Sequence, residues 1–390
     1  MATTTRMYYL ISVVVFLCLI EYVVIVVGGN DNNNADSIFD KNLLDGKPND
    51  VASYVIEQMF PSQNALQKRL VKIFEKTKTV ECRELISEHF NKFIQAFNEE
   101  KSLPYTDLKF DYNECENDEL DGLDFNNLPP GVNLGTIQAK TYQSNDTSMY
   151  FDSPLDIKLC YGILAHDNPD ATIRLIEALN EPTTSFVVHV DGKYDDTYNK
   201  LKEYSMNSST NTTKPKPNVH VLDNEYRVRV NWGGFSMVNA TLQMINYVDK
   251  HIPSENYTHF VHLAATCYPI SSNRRIRNKL ASYPKDTNFM HVILKPTKPG
   301  KSIWNYFVEC DDALHRIYQL QPLSKELTGV NQYTSSQWFI ISNEFTNYLA
   351  NPTEDETPFL YNFLNYIEHT VVADETFFGT VLRNSKFCNK

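Results

Sequence analysis

The chain has 390 residues, of which 42% are hydrophobic, enough for one large globular domain with an N-terminal extension. Its formal net charge of −12 argues against nucleic-acid binding, which rests on clustered Lys and Arg neutralising phosphates.

Residues 1–6 form a short tail, and from Met7 to Val27 the chain is almost wholly apolar, broken by Glu21 near its far end. About 20 apolar residues are needed to cross a bilayer as a helix, and this run exceeds the apolar region of a cleavable signal peptide. Arg6 precedes it, while Asp31, Asp36 and Asp40 follow. The expected arrangement is a signal anchor at 7–27, type II and single-pass, with the body in the lumen. Five Asn-x-Ser/Thr acceptors, at Asn145, Asn207, Asn211, Asn239 and Asn256, fit a lumenal chain. Six cysteines beyond the run form an even set for disulfides, whose pairing the spacing does not give.

Residues 28–155 read as a stem. It opens on the polar run Asn30-Asp31-Asn32-Asn33-Asn34, then shows helical spacing over 51–97 through Leu66, Leu70, Ile73, Phe74, Leu85, Ile86, Phe90, Phe93, Ile94 and Phe97. An acidic, Pro- and Gly-containing connector leads to a folded domain over 156–390.

In that domain strands alternate with helices, which predicts a parallel, Rossmann-like sheet. Lys158–Ala165 is a buried strand, and Asn168-Pro169-Asp170 supplies a cap and first turn for a helix facing Ile173, Ile176 and Leu179 inward. Ser185–Val190 is the second strand and Val219–Leu222 a short third. Val238, Leu242, Ile245 and Val248 mark a helix capped by Ser236, and Thr258–Leu263 is a further strand.

Several short segments carry candidate chemistry. Asp191 ends a strand and opens a turn, where a carboxylate either satisfies the turn or accepts from a nucleotide. His189, two residues earlier, reads as a core histidine. Trp232-Gly233-Gly234 joins a strand to a helix, where glycine admits a ligand's close approach or simply makes a tight turn. Trp338, in Ser336-Gln337-Trp338-Phe339, is either a sugar-stacking ring or core. Asp374-Glu375 opens the final helix, where an N-cap and a first-turn charge account for both. Arg274-Arg275-Ile276-Arg277 and Asp311-Asp312 read as solvated faces.

Together these segments resemble the core-2/I-branching N-acetylglucosaminyltransferase and xylosyltransferase family. The likeness implies an α/β, GT-A-type glycosyltransferase domain in the Golgi membrane, taking a UDP-sugar donor and a glycan or glycoprotein acceptor. It implies that Glu375 is the general base of an inverting transfer, and that Asp191, His189, Trp232, Gly233, Gly234, Trp338 and Asp374 line the substrate side. The main expectation is β-linked transfer of N-acetylglucosamine to a glycan hydroxyl. The alternatives are xylose transfer to protein serine and a catalytically silent glycan- or partner-binding protein. No Asp-x-Asp occurs in the chain, and the family uses basic side chains instead of a metal, so no metal cofactor is expected. In family members Arg and Lys residues beyond the Asp-Glu helix hold the diphosphate; Arg383, Lys386 and Lys390 are candidates to substitute for them, and none aligns with a known role. Cys267 replaces an aspartate of the family pattern.

Overall fold

The computed structural model describes residues 70–98, 109–110, 115, 147–207, 216–294, 304–320 and 328–389. The tail 1–6, the apolar run 7–27 and the stem before residue 70 lie outside these residues. Among the described residues, no helix is long and apolar enough to cross a membrane. The described residues fall into two units, one within 19–108 and 303–322, the other within 109–302 and 323–390.

In the first unit a helix, Val80–Asn98, packs on an antiparallel hairpin of strands Trp304–Cys310 and Ala313–Leu320. The hairpin turns on Asp311 and Asp312, both with positive φ (54° and 60°), as the twist of a two-residue loop demands. Asp311 is more than a solvated charge: its carboxylate accepts from the Thr79 N–H at 2.9 Å and the Thr79 hydroxyl at 2.6 Å, beside the helix start. Phe93 packs edge-on against Tyr306, with ring centres 4.9 Å apart. A disulfide joins Cys82 to Cys310. The His315 Nε2 lies 3.8 Å from Cys82 Sγ, yet both sulfurs are spent in the disulfide, so the trio holds no cation in this state. The hairpin lies inside the span expected for the catalytic domain, but it groups with the helix more than 200 residues upstream.

The second unit is built on a five-stranded sheet. Its elements in chain order are β1 (Leu159–Ala165), α1 (Pro169–Leu179), β2 (Thr184–Val190), α2 (Asp195–Asn207), β3 (Asn218–Val221), α3 (Phe235–His251) and β4 (His259–Ala264). There follow α4 (Asn273–Leu280), β5 (Val292–Leu294), β6 (Tyr333–Ser335), β7 (Ile340–Ser342), α5 (Asn343–Leu349), α6 (Pro358–Ile367) and α7 (Phe377–Asn384). The sheet order is β3-β2-β1-β4-β7; the first four strands are parallel and β7 runs antiparallel to β4. β5 and β6 make a separate antiparallel pair.

β1, β2 and β4 are near-continuous apolar runs because helices cover both faces of a parallel sheet. Gly162 sits at the centre of β1, where an added Cβ would lie 2.2 Å from the Phe260 ring, so this aromatic on β4 needs glycine opposite it. α1 begins as expected: the Asn168 side chain accepts from the Ala171 N–H at 3.0 Å, Pro169 fills the first turn, and Leu175, Ile176 and Leu179 are buried. Ile173 is only half-buried. Two expectations fail. Gly234, not Ser236, is the N-cap of α3. Arg277 is not solvated; it is buried and its guanidinium meets the Glu181 carboxylate at 2.5 Å. Cysteine usage also departs from a fully paired set, since Cys115 bonds to Cys388 while Cys160 is a free, buried thiol on β1.

From β1 the chain steps to β2 and β3 on one side and later to β4 on the other. This reversal creates a crevice beyond the strands' carboxyl ends. The ends are level there: the Asp191 N–H donates to Ala165 O, and the Ala265 N–H to Leu164 O, both at 2.9 Å.

Candidate active site

At the end of β2, Asp191 is buried and largely committed to the main chain. Its Oδ1 accepts from the Lys193 N–H at 2.9 Å and the Val230 N–H at 3.2 Å, and its Oδ2 lies 3.6 Å from Lys193 Nζ. The oxygen left to meet a donor is Oδ2. His189 is also a framework residue, buried, with Nε2 accepting from the Val228 N–H at 2.9 Å. Burial, then the nearby Arg227 charge, pushes its pKa down to about 4, so the ring is neutral and its proton sits on Nδ1.

Arg227 is the residue that sequence reading passed over. Its side chain is 5% exposed. Nε donates to Val190 O and an Nη to Asp191 O, both at 3.1 Å; the other Nη reaches Asp195 and Asn224 side-chain oxygens at 2.9 Å. Its Cζ lies 4.4 Å from the Tyr198 ring centre. The guanidinium fork thus ties the segment 227–230 to the carboxyl edge of β2. An arginine among alternating valines carries no spacing signal for such a role.

The next loop links that edge to the C-terminal motif. Trp232 is 72% exposed, Gly233 takes φ +75°, which favours glycine, and the Gly234 N–H donates to Asn231 O at 3.0 Å. The Gly233 carbonyl then accepts from the Val372 N–H at 2.7 Å. This bond docks the Asp374-Glu375 turn onto the Trp232-Gly233-Gly234 loop, although Val372 lies 139 positions after Gly233 in the chain.

Asp374 and Glu375 do not lie in the first turn of α7, as the sequence suggested. They occupy a separate 3-10 turn, Ala373–Glu375, entered through left-handed Val372 (φ 56°), and α7 begins at Phe377. The two carboxylates have opposite environments. Asp374 is 5% exposed, and among the described residues no hydrogen-bond donor reaches its Oδ1. Burial, reinforced by the Glu375 charge, raises its pKa to about 6. Glu375 is exposed. Behind it the helix is fixed: Phe377 and Phe378 are buried against Phe363 and Phe339, with ring centres 5.7 and 4.8 Å apart. Ser335 holds the junction, its hydroxyl donating to Glu375 O at 3.5 Å and accepting from the Gly379 N–H at 3.2 Å.

Trp338 stands just before β7 and is half-buried, its ring centre 5.1 Å from that of His262. His262 bonds at Nδ1 to Gln337 O (2.9 Å), which orders the Ser336–Trp338 link between β6 and β7. Arg383 is buried in α7, bonds Cys388 O and lies by the Tyr333 ring; it is a framework residue, not an exposed anion ligand. Lys386 is exposed and Lys390 lies outside the described residues. Cys267 is buried just past β4 and belongs to the sheet core.

A family model described as Core-2/I-Branching enzyme matches residues 159–390, the whole stretch from β1 onward. The chain belongs to the Core-2/I-branching family of glycosyltransferases. Similar curated proteins include xylosyltransferase oxt of Drosophila melanogaster, 28% identical over 218 residues, covering 55% of this chain and 23% of that one. Xylosyltransferase 1 of Rattus norvegicus is 23% identical over 254 residues, 64% of this chain and 29% of the relative. A xylosyltransferase of Ciona intestinalis is 22% identical over 257 residues, 63% and 28% respectively. The matched region therefore spans about a quarter of the length of these relatives. In this Core-2/I-branching chain, the sheet edge, the Gly233 loop and the Asp374-Glu375 turn all fall within the matched stretch.

The buried histidines of the same sheet make its stability acid-sensitive. His189, His259 and His262 are each pushed from 6.5 to about 4 by burial. Unfolding lets all three bind protons, so their stabilisation is complete above pH 6.5 and is lost as pH falls towards 4. Asp374 acts oppositely, its stabilisation being lost as pH rises through about 6, but it is one group against three. Stability is expected to fall by about several kcal/mol between pH 7 and 4.5, and the thermal midpoint to drop with it. A flat profile measured by circular dichroism would contradict buried neutral imidazoles.

Proposed function

We propose that the chain transfers a sugar from a UDP donor to an acceptor hydroxyl in a single inverting displacement, with Glu375 as general base. The observation that carries this is the Val372 N–H bond to Gly233 O. It sets an exposed glutamate beside the loop that continues from the Asp191 edge. Glu375 takes the acceptor proton as the hydroxyl oxygen bonds to the anomeric carbon and the bond to the diphosphate breaks; UDP leaves with the electron pair. Positioning of acceptor against donor lowers the barrier further.

Xylose and a protein serine are the preferred donor sugar and acceptor. The sequence reading put N-acetylglucosamine first, but the similar proteins reported above are all xylosyltransferases. The reaction as written needs no divalent ion, in keeping with the lack of Asp-x-Asp. The apolar run 7–27 supports a Golgi enzyme held as a single-pass, type II membrane protein.

The test is a transfer assay on the purified full-length chain in detergent, with UDP-xylose and UDP-N-acetylglucosamine offered separately to serine peptides and glycans in chelator. Xylose on serine is the expected product. Transfer of N-acetylglucosamine alone would restore the branching reading, and activity that requires added Mn²⁺ would remove the metal-free one. Silence with both donors under both conditions would leave a glycan-binding protein.

A further inference from the structure

The first unit brings together three metal-ligating side chains that lie far apart or unevenly spaced in the sequence. In the hairpin register Cys310 pairs with Ala313 and Val308 with His315, so Cys310 and His315 stand diagonally on one face. Tyr306, on that same face, packs on Phe93 of the helix that carries Cys82. The two sulfurs and His315 Nε2 all lie within 4.8 Å of one another.

Once the disulfide is opened, contacts independent of it hold the thiols in place. The Asp311 carboxylate accepts from the Thr79 N–H and hydroxyl, and the Thr79 hydroxyl oxygen accepts from the Cys82 N–H at 3.1 Å. This clamp ties the helix start to the hairpin turn, where the Cα atoms of Cys82 and Cys310 are 5.5 Å apart. On a tetrahedral zinc ion two thiolate sulfurs stand about 3.8 Å apart, and a thiolate sulfur and an imidazole nitrogen about 3.6 Å. Cys82 Sγ and His315 Nε2 are already 3.8 Å apart, so only the sulfurs need separate, by side-chain rotation. The His315 ring is oriented by a hydrogen bond to the Cys310 backbone, and burial holds its pKa below 6.5 and the imidazole neutral.

We propose that reduction of the Cys82–Cys310 disulfide creates a zinc site of two thiolates and His315 Nε2, with water in the fourth position. A dithiol supplies the reduction: it gives two electrons and two protons to the sulfurs and itself becomes a disulfide. Zinc then displaces the two thiol protons, and reoxidation by a disulfide of the same class expels the ion. The unit that holds this site contains none of the residues assigned to sugar transfer, so the proposal stands apart from that reading.

The experiment is a cobalt(II) titration of the full chain, oxidised and after anaerobic treatment with a phosphine. The phosphine takes oxygen from water to become its oxide, leaves two thiols and is removed by desalting. The reduced wild type is expected to bind one ion with the absorption of tetrahedral, thiolate-bound cobalt and to release it to zinc, while the oxidised chain shows no such absorption. Cys82→Ser should lose the thiolate band, His315→Gln should weaken affinity about a hundredfold, and Cys115→Ser should match the reduced wild type. A reduced wild type without the band, or a band that survives in Cys82→Ser, would overturn the site. Unchanged affinity in His315→Gln would overturn the ligand set. Circular dichroism is expected to show a folded chain in the reduced, metal-free state; loss of the fold there would overturn a site held ready by the Thr79–Asp311 clamp.

Discussion

Glu375→Gln is expected to reduce transfer by about a hundredfold to ten-thousandfold, the usual contribution of a positioned general base, while UDP affinity stays within twofold. Glutamine keeps the shape of the side chain but accepts no proton. Because Glu375 is exposed and its backbone is fixed by Ser335 and the anchored Phe377-Phe378 pair, the substitution leaves the fold intact. The loss falls on kcat, since the base acts on the acceptor hydroxyl and not on the nucleotide. Stopped assays at saturating donor, with parallel calorimetry, separate the two. Equal turnover by the variant would remove Glu375 from the chemistry, and a loss of UDP binding would make it a donor ligand instead.

Arg227→Ala is expected to cost about 2–4 kcal/mol of stability and to weaken UDP binding with it. The Asp195 carboxylate it releases is largely exposed, so that ion pair contributes little of the total. The cost comes from the Val190 and Asp191 carbonyls losing a charged donor inside the sheet edge, and from the packing lost over Tyr198. Lysine should not rescue the variant, because a single ammonium lacks the planar fork that spans both carbonyls and Asp195. Urea midpoints of the wild type and the two variants measure this. A change within 0.5 kcal/mol, the range of an ordinary surface substitution, would show that Arg227 is not a clamp.

The legible part of the fold was the sheet core. β1, β2 and β4 announce themselves as apolar runs because parallel strands are buried on both faces, and Asn168-Pro169 marks α1 by local chemistry alone. What stayed hidden depends on contacts far apart in the chain. The hairpin at 304–320 was not picked out from the sequence, and its grouping with the helix at 80–98 is made by packing and by a disulfide that no spacing reveals. The motif residues of the site were all visible, yet their roles were not. Asp191 reads as a turn residue or a nucleotide ligand and His189 as a core histidine; in the structure they accept from the Val230 and Val228 N–H groups at the strand end, whereas Arg227, which holds the same segment, carried no signal. Asp374 and Glu375 were read as a helix start; the left-handed Val372 places them in a turn of their own, buries one and exposes the other. Local propensity accounts for a cap, but only the bond to Gly233 explains why the carboxylates stand where they do.

The most direct test of carboxylate-promoted displacement is the anomeric configuration of the product formed from an α-linked UDP-sugar, read by proton NMR before any equilibration. One displacement assisted by Glu375 inverts the centre and gives the β-linked product. An α-linked product would mean retention, and with it a covalent intermediate or a front-face route in which an exposed base at residue 375 has no place.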